Sequence, residues 1–215
     1  MKKVLLFGGS GGLGSQLKPL LEKKYEVTSP SSNEVDVSNL TEVKSFFDKK
    51  EFDVIINLSG YNFDSLLHKL EVSDESNIDK MVDINIKGNV NILASALPSM
   101  RDKKYGRIIL VSSVLSEKVV HGTSLYSGAK SFIDSLVKTA SSENISKGIT
   151  CNSIRLGYFD GGMCHRLPEK FVEPIKNSIG LKRWGTLEEL SQTIDYLIET
   201  EYITGQNINI SGGLL

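Results

Sequence analysis

Short apolar runs alternate with stretches of helical periodicity along most of the chain. Runs of this length are typical of strands buried on both faces of a sheet, whereas apolar residues three and four apart predict amphipathic helices. The predicted strands are residues 3–7, 25–29, 34–37, 52–57, 107–111, 149–154 and 206–210. The predicted helices are residues 15–24, 40–50, 74–100, 125–144 and 186–200.

This alternation predicts an α/β fold, a doubly wound parallel sheet of about seven strands with helices on both faces. One connection is unusual, because only residues 30–33 separate the second predicted strand from the third. A parallel crossover needs about a dozen residues or more, so we expect the helix between strands 2 and 3 to be missing. We find no repeat, low-complexity tract or linker, and we expect a single domain over residues 1–215.

Composition narrows the classes of function. With 40% hydrophobic and 24% charged residues, the chain has the composition of a soluble globular protein. The net charge of −1 gives no broad electrostatic case for nucleic acid or an anionic membrane as a partner. The first apolar run is too short for a signal sequence or a membrane span, which favours a cytoplasmic location. Cys151 and Cys164 form neither a disulfide framework nor a zinc-spaced cluster, so we expect no metal site.

A glycine-rich turn follows the first predicted strand. Residues 8–14 read Gly-Gly-Ser-Gly-Gly-Leu-Gly and lead into a predicted helix. Glycines let backbone N–H groups approach a pyrophosphate, and the helix N-terminus attracts its negative charge. Glycines also form ordinary turns, but the order of strand, glycine turn and helix favours a phosphate-binding loop.

A second candidate lies on helix 125–144, where Tyr126 and Lys130 are one turn apart on one face. A cation beside a phenol favours the phenolate, so we expect the pKa of Tyr126 to fall below its ordinary value of about 10. Such a phenol can act as a general acid or base at neutral pH, and Ser113 offers a hydroxyl to the same oxygen. Many pairs at this spacing are simple surface residues, so the pair must be judged by the rest of the chain.

Four candidate residues lie at the carboxyl ends of four different predicted strands. They are Gly8, Asn57, Ser113 and Gly157. The carboxyl ends of parallel strands meet at one edge of the sheet, where ligands bind in folds of this type. We therefore expect these four positions to contribute to one site.

Taken together, these motifs resemble the short-chain dehydrogenase/reductase family over essentially the full chain, in a compact form similar to 3-oxoacyl-acyl-carrier-protein reductases. The glycine turn, Asp36, the Asn-Leu-Ser-Gly stretch at 57–60 and the Asn-Ser-Ile-Arg-Leu-Gly stretch at 152–157 carry the resemblance, as do the motif residues Asn85, Ser113, Tyr126 and Lys130. The resemblance implies a Rossmann-type fold and NAD(P)(H)-dependent interconversion of a ketone and a secondary alcohol on a small substrate.

The resemblance also assigns residues. It implies catalytic roles for Asn85, Ser113, Tyr126 and Lys130, with Tyr126 as general acid/base. It implies cofactor contacts at Gly8, Ser10, Gly11, Gly12, Leu13, Gly14, Ser29, Ser31, Asp36, Val37, Asn57, Ser59, Gly60, Tyr126, Lys130, Gly157 and Phe159. The expected substrate loop spans residues 158–180.

Several positions depart from the family pattern. Phe7 replaces the threonine before the glycine turn, Leu58 replaces an asparagine near the cofactor, and Leu156 replaces a proline. Gly161 stands where the family has a threonine that holds the nicotinamide carboxamide. Backbone groups near Tyr158 would then have to do more of the holding.

The cofactor preference follows from the end of the second strand. Relatives that prefer NAD place a carboxylate there, which repels a 2′-phosphate. Here Ser29 and Ser31 stand at that end, and the first acid is Glu34. We predict a preference for NADP(H), with NAD(H) usable, although Glu34 could reach back and reverse the choice.

The resemblance also suggests partners. Helices 74–100 and 125–144 carry apolar residues on more than one face. The equivalent helices of the family pair across a two-fold axis, which suggests a homodimer or homotetramer. A carbonyl or alcohol substrate is the other expected partner.

Two alternatives stay open. The first is a catalytically silent nucleotide-binding regulatory or scaffold protein, since a fold does not dictate function. Such proteins usually lose the tyrosine or the lysine, and both are present here. The second is a sugar-nucleotide-modifying enzyme, a keto-sugar reductase or epimerase, which shares the Tyr–Lys pair. That class usually has a larger C-terminal substrate region.

Overall fold

The chain forms one parallel sheet in a computed structural model, which describes residues 1–48 and 50–214 and all of their side chains except those of Met163 and Arg166. Every neighbouring pair of strands is parallel, and the spatial order is β2-β1-β3-β4-β5-β6. The strands are β1 (Lys3–Phe7), β2 (Glu26–Thr28), β3 (Val54–Asn57), β4 (Gly106–Ser113), β5 (Ile149–Leu156) and β6 (Asn207–Ile210). The predicted doubly wound α/β fold is confirmed.

Helices cover both faces of this sheet. They are α1 (Gly14–Leu21), α2 (Leu40–Phe47), α3 (Glu75–Val82), α4 (Gly88–Lys103), α5 (Ser124–Asn144), α6 (Glu169–Ser178) and α7 (Leu187–Glu199). Short 3₁₀ turns lie at Leu67–Lys69, Val72–Asp74, Val114–Ser116, Ile145–Lys147 and Gly162–Arg166. Within the described ranges, no helix is both long enough and apolar enough to span a bilayer.

The core is divided between the two faces by the alternation of side chains along each strand. In β1, Leu5 and Phe7 belong to the cluster under α2, α4 and α5. Val4 and Leu6 belong to the opposite cluster, under α1 and α7. All four side chains are at most 1% exposed, so β1 is buried on both faces, as its continuous apolar run predicts.

The predicted third strand is not a strand, so the described chain has six strands and not about seven. Residues 34–37 instead form a loop beneath α4, which begins with a turn in which the Glu34 N–H donates to the Ser31 carbonyl at 3.1 Å. Val37 is buried against Gly88, and the Asn91 side chain donates to the Val37 carbonyl at 3.0 Å. The predicted absence of a helix before this segment is confirmed.

The long helix predicted over residues 74–100 is one helical run with a change of pitch. A π-helical turn, Asp83–Lys87, joins α3 to α4, and the Gly88 N–H donates back to the Asp83 carbonyl. Turns of this kind inside α-helices are frequent at functional sites. The run ends at Lys103, slightly beyond the predicted end at residue 100, because Lys104 takes the left-handed conformation that closes it.

Two predictions on the C-terminal half, one of a helix and one of a loop, differ in outcome. The predicted helix 186–200 is observed as α7, and Thr186 and Glu189 form a reciprocal capping box at its start. The predicted substrate loop 158–180 is partly helical, since it contains the Gly162–Arg166 turn and α6.

The predicted helix 40–50 is observed as α2, which ends at Phe47. Lys49, within the predicted range, lies outside the described residues.

Candidate active site

The carboxyl ends of the strands bring the predicted residues to one edge of the sheet. Register pairs Phe7 with Asn57 across β1 and β3, and Ser113 with Leu156 across β4 and β5. The chain leaves β1 toward β2 on one side and returns to β3 on the other, which is the switch point where such sheets open a cleft. The glycine turn begins directly above this point.

The glycine turn has the geometry of a phosphate cradle. Gly8 has a φ of +78°, and a Cβ there would lie 2.6 Å from the Ser59 nitrogen. A Cβ on Gly14 would lie 2.2 Å from the Gly8 carbonyl oxygen, so the turn can fold only with glycine at both positions. Ser10, Gly11 and Gly12 are exposed above the start of α1, where the helix dipole favours an anion. The residues therefore fit a dinucleotide pyrophosphate.

The start of the predicted substrate loop lies on this turn. A Cβ added to Gly12 would be 2.7 Å from the Gly162 Cα atom, and one added to Gly161 would be 3.1 Å from the Gln16 amide nitrogen. The absence of side chains at these positions lets the two segments approach. Gly161, where the family has a threonine, therefore contacts the glycine-turn side of the cleft.

Ser113 and Tyr126 meet at the centre of the edge. Ser113 ends β4 and is 8% exposed, and Tyr126 lies in the first turn of α5 and is 9% exposed. Burial raises the pKa of Tyr126 to about 12. A hydrogen bond with the Ser113 side chain acts in the opposite direction and lowers this pKa. The Asp64 carboxylate raises this pKa further. The predicted fall in the pKa of Tyr126 is therefore wrong in direction, because loss of hydration outweighs the nearby groups.

Lys130 lies one turn further along α5, with 4% of its surface exposed. Its Nζ atom is 5.5 Å from the centroid of the Tyr126 ring and donates to the Val111 carbonyl at 2.9 Å. Burial lowers the pKa of Lys130 to about 8, against the opposing charge of Asp134. The ammonium is therefore close to the tyrosine ring, but it also donates a hydrogen bond to the backbone of β4.

Asn85 occupies the π-helical turn and is completely buried. Its amide nitrogen donates to the Tyr61 carbonyl at 2.8 Å and to the Met81 carbonyl at 3.1 Å. A Cβ on Gly60 would lie 3.2 Å from the Asn85 Oδ1 atom and 3.6 Å from the Lys130 Nζ atom. Asn85 and Lys130 therefore face the same small space above Gly60.

Asn57 and Ser59 hold the loop after β3. The Asn57 Oδ1 atom accepts from the Ser59 backbone N–H at 3.0 Å, and its amide nitrogen donates to Asn89 Oδ1 at 2.8 Å. The Asn89 amide nitrogen in turn donates to the Asn85 carbonyl at 2.8 Å. Sequence reasoning missed Asn89, although its position one turn after Asn85 is a signal that could have found it. The Asn57 side chain is thus engaged by protein atoms.

The segment after β2 presents a carboxylate where hydroxyls were expected. Glu34 Oε2 accepts from both the backbone N–H and the hydroxyl of Ser31, at 2.8 and 2.9 Å. These bonds lower the pKa of Glu34. The Ser29 hydroxyl points inward and donates to the Leu6 carbonyl at 2.9 Å. Glu34 has therefore reached back to the end of β2.

The other predicted cofactor residues surround the same edge. Asp36 is exposed and its carboxylate accepts from the Ser38 N–H at 2.9 Å, whereas Val37 is buried. Gly157 continues β5, where its N–H donates to the Ile210 carbonyl at 2.9 Å. The Phe159 side chain is 4% exposed and packs against Gly185, so only its backbone faces the loop.

Two further features bear on the chemistry. Among the described residues, no group of three His, Cys, Asp or Glu side chains could hold a metal ion. A cavity of about 480 Å³ opens between α7 and the end of β6, lined in part by Tyr158 and Phe159. None of the four catalytic candidates is among its lining residues.

Comparison with known proteins agrees with this geometry. Residues 12–215 match the family profile described as enoyl-(acyl carrier protein) reductase. The 3-oxoacyl-[acyl-carrier-protein] reductase FabG of Rickettsia conorii is 30% identical over 236 residues, which cover 100% of this chain and 97% of that protein. Nodulation protein G of Azospirillum brasilense is 31% identical over 188 residues, covering 84% of this chain and 75% of that protein.

A solved structure, "ElxO with NADP Bound", has the same fold. It superposes with a TM-score of 0.89 at 24% identity and covers 100% of this chain and 99% of its own. The chain belongs to the short-chain dehydrogenase/reductase family. It is an NAD(P)-dependent oxidoreductase of the type that interconverts ketones and alcohols.

Proposed function

We propose that this protein reduces a ketone on a small substrate with NADP(H), and that Tyr126 donates the proton. The observation that carries the proposal is the buried pair of Ser113 and Tyr126 at the end of β4, with Lys130 one turn away. Burial raises the pKa of Tyr126 to about 12, so the phenol holds its proton at neutral pH. A protonated phenol is the form that a developing alkoxide requires.

The four catalytic residues have different tasks in this proposal, and Lys130 has two. Ser113 hydrogen-bonds the substrate oxygen and orients it toward the phenol, while Tyr126 gives that oxygen its proton. Lys130 stabilises the phenolate that remains and contributes to the binding of the nicotinamide ribose. Asn85, across Gly60 from Lys130, anchors the polar contacts through which the lysine regains a proton. The cofactor supplies the hydride, and the protein supplies position and protonation.

The residues that would hold the cofactor are those of the glycine turn and the adjoining loops. Gly8, Gly12 and Gly14 shape the turn for the pyrophosphate, and Asp36 and Val37 adjoin the expected adenine position. NADP(H) is the preferred cofactor in this proposal and NAD(H) is usable. ElxO, which shares the fold, has a structure with NADP bound. A 2′-phosphate would have to displace Glu34 from the two Ser31 donors, which makes the preference modest.

The substrate class follows from the relatives and from the size of the substrate region. Relatives of this chain are named 3-oxoacyl-[acyl-carrier-protein] reductases, so a 3-oxoacyl thioester is the first candidate. Residues 158–180 are the covering segment, and α6 fills half of it. Tyr158, the first residue of this segment, pairs with Trp184 just after it, with ring centroids 5.6 Å apart. A segment this short, with aromatic groups beside it, favours a small or narrow substrate.

The deciding experiment is NADPH oxidation over a panel of carbonyl compounds. The panel contains a short 3-oxoacyl thioester, a keto sugar and a simple ketone. We expect turnover of the thioester, reduced by about 10²- to 10⁴-fold in Tyr126→Phe. Turnover of none of the three by a protein that binds NADPH would contradict the proposal and favour a silent nucleotide-binding role.

The proposal includes a homodimer or homotetramer in the cytoplasm. Ile133 and Val137 of α5 are buried in the core, and the partly buried Leu136 packs against the same core. Phe132 is also only partly buried, and it lies one turn before Leu136 on a second face of the helix. Val90 of α4 is 42% exposed. Apolar residues on this second face support pairing with another copy. Cys151 and Cys164 are both free thiols, as expected in a reducing compartment.

A further inference from the structure

Arg155 joins two segments that carry catalytic residues. It lies near the end of β5, and its side chain is 11% exposed. Its Nε atom donates to the Asp134 Oδ2 atom at 2.7 Å, and its Nη1 atom lies 2.5 Å from the Glu117 Oε1 atom. One guanidinium therefore bridges a carboxylate on α5 and a carboxylate just after β4. A planar fork of donors is suited to hold two such groups in fixed positions.

The two carboxylates adjoin the catalytic residues in sequence. Asp134 is one turn after Lys130 on α5, and Glu117 closes the 3₁₀ turn that starts directly after Ser113. A second bond joins the same segments, since the Ser131 hydroxyl donates to the Ser116 carbonyl at 2.9 Å. The position of Ser113 relative to α5 is therefore fixed partly through Arg155.

The Asp134 carboxylate also acts on Lys130. It is 5% exposed, and the Ser153 hydroxyl donates to its Oδ1 atom at 3.0 Å. Burial lowers the pKa of Lys130 to about 8, and the negative charge of Asp134 acts in the opposite direction by raising it. The Arg155 guanidinium lies 2.7 Å from the Asp134 carboxylate, so its positive charge offsets part of the effect of that carboxylate on the lysine. Arg155 thus weakens the support that Asp134 gives to the ammonium.

Among the side chains that the structure describes, few other charges face the lysine. On α5 its neighbours are Tyr126 and Asp134, and from β4 it meets the neutral Val111 carbonyl. The π-helical turn contributes the neutral Asn85. The loop after β3 contributes Asp64, which acts on Tyr126, and β5 contributes Arg155 through Asp134. The Asp134–Arg155 pair is therefore the adjustable charge beside Lys130.

We propose that Arg155 is a positioning residue that holds the Ser113 segment against α5 and, through Asp134, sets the charge state of Lys130. This inference rests on the proposed role of Lys130 in the reaction. The two members of the pair act in opposite directions. Loss of Asp134 leaves an unpaired cation near the lysine and favours the neutral amine, whereas loss of Arg155 leaves an unpaired carboxylate and favours the ammonium.

The test is a direct titration of Lys130 by NMR. The protein carries ¹³C-labelled lysine, and the Lys130 resonance is assigned by its loss in Lys130→Met. We expect Asp134→Asn to lower the pKa of Lys130 and Arg155→Met to raise it, each by about 1 pH unit. Arg155→Lys keeps the charge and should leave the value near that of the wild type. The double variant Asp134→Asn/Arg155→Met should lie between the single variants.

Shifts in the same direction for both single variants, or no shift in either, would overturn the inference. The double variant removes both charges together, so it keeps the test available if one buried charge left alone prevents folding. In that case the double variant should titrate near the wild type, and an Arg155→Lys variant with a clearly shifted titration would overturn the inference. The NMR readout does not require turnover, so its failure is distinct from failure of the proposed ketone reduction.

Discussion

The Lys130 ammonium lies 5.5 Å from the centre of the Tyr126 ring while it donates to the Val111 carbonyl at 2.9 Å. Both side chains are buried, and burial moves their pKa values toward the neutral forms, down to about 8 for Lys130 and up to about 12 for Tyr126. The site therefore holds a protonated phenol beside an amine that titrates near physiological pH. This pairing has consequences for catalysis and for stability that can be measured separately.

The first prediction concerns the proton donor. Tyr126→Phe should reduce turnover by about 10²- to 10⁴-fold, because general acid catalysis contributes about that much. Cofactor affinity should change little, since the phenol acts on the substrate oxygen. Lys130→Met should weaken both, because the lysine has a task in each. Steady-state rates and NADPH fluorescence titration measure the two effects, with the fully exposed Tyr202 changed to Phe as control. Retention of most activity by Tyr126→Phe would mean that another group supplies the proton.

The second prediction concerns stability and pH. The pKa of Lys130 is about 8 in the folded protein, and its ordinary value of 10.5 applies to the unfolded chain. Between pH 8 and pH 10.5 the unfolded chain therefore binds more protons than the folded protein. Stability from this group therefore rises as pH increases from 8 to 10.5, and burial of the ammonium costs on the order of 3 kcal/mol below pH 8. Lys130→Met lacks this cost, so its advantage over the wild type should shrink between pH 7 and pH 9.5.

Urea unfolding at the two pH values measures this difference. Tyr126 is present in both proteins, so its own titration cancels in the comparison. Lys138→Met, an exposed change on the same helix, is the control for the loss of a lysine. Parallel stability curves for Lys130→Met and the wild type would contradict a depressed lysine pKa.

The third prediction concerns cofactor choice. Glu34→Gln should increase NADPH affinity several-fold relative to NADH, because it removes a carboxylate from the Ser31 donors at the end of β2. Ser31→Asp should act in the opposite sense by adding charge at the same place. Binding of both reduced cofactors to each variant measures the ratio. Glu26→Gln, a change at the opposite end of β2, controls for net charge. An unchanged ratio in Glu34→Gln would place the 2′-phosphate elsewhere.

The fourth prediction compares two glycines. Gly8 has a φ of +78° and no room for a Cβ, which would lie 2.6 Å from the Ser59 nitrogen. Gly8→Ala should therefore destabilise the protein by about 1–3 kcal/mol or more. Gly128 lies in α5, and a methyl group added to it would have no neighbouring atom within 4 Å, so Gly128→Ala should stabilise the protein by about 0.5–1 kcal/mol. Thermal unfolding gives both values, and equal effects of the two changes would be inconsistent with this backbone geometry.

The fifth prediction concerns assembly. If the partly buried apolar face of α5 pairs with another copy, light scattering at micromolar concentration should give a dimer or tetramer mass. Phe132→Glu should then reduce the mass toward that of one chain. Ser135→Glu places the same charge at an exposed position of the same helix and should have less effect. A wild-type mass of 23.7 kDa would exclude this mode of assembly.

The sequence by itself determined the alternation of strands and helices and the order of the motifs. Apolar periodicity located all six observed strands and the helices that flank the site, because a strand buried on two faces and an amphipathic helix leave different patterns. The glycine turn and the spacing of Tyr126 and Lys130 predicted a cofactor loop and an acid–base pair. The short link after β2 already excluded a helix there.

The tertiary structure decided what depends on contacts between distant segments. Residues 34–37 carry a strand-like pattern, but the Ser31–Glu34 turn and the contact of Val37 with Gly88 direct them under α4. The pKa of Tyr126 rises because several elements together remove water from it, and no local pattern encodes that burial. The salt bridge between Asp134 and Arg155 joins residues 21 positions apart, and only the packing of α5 on β5 brings them together.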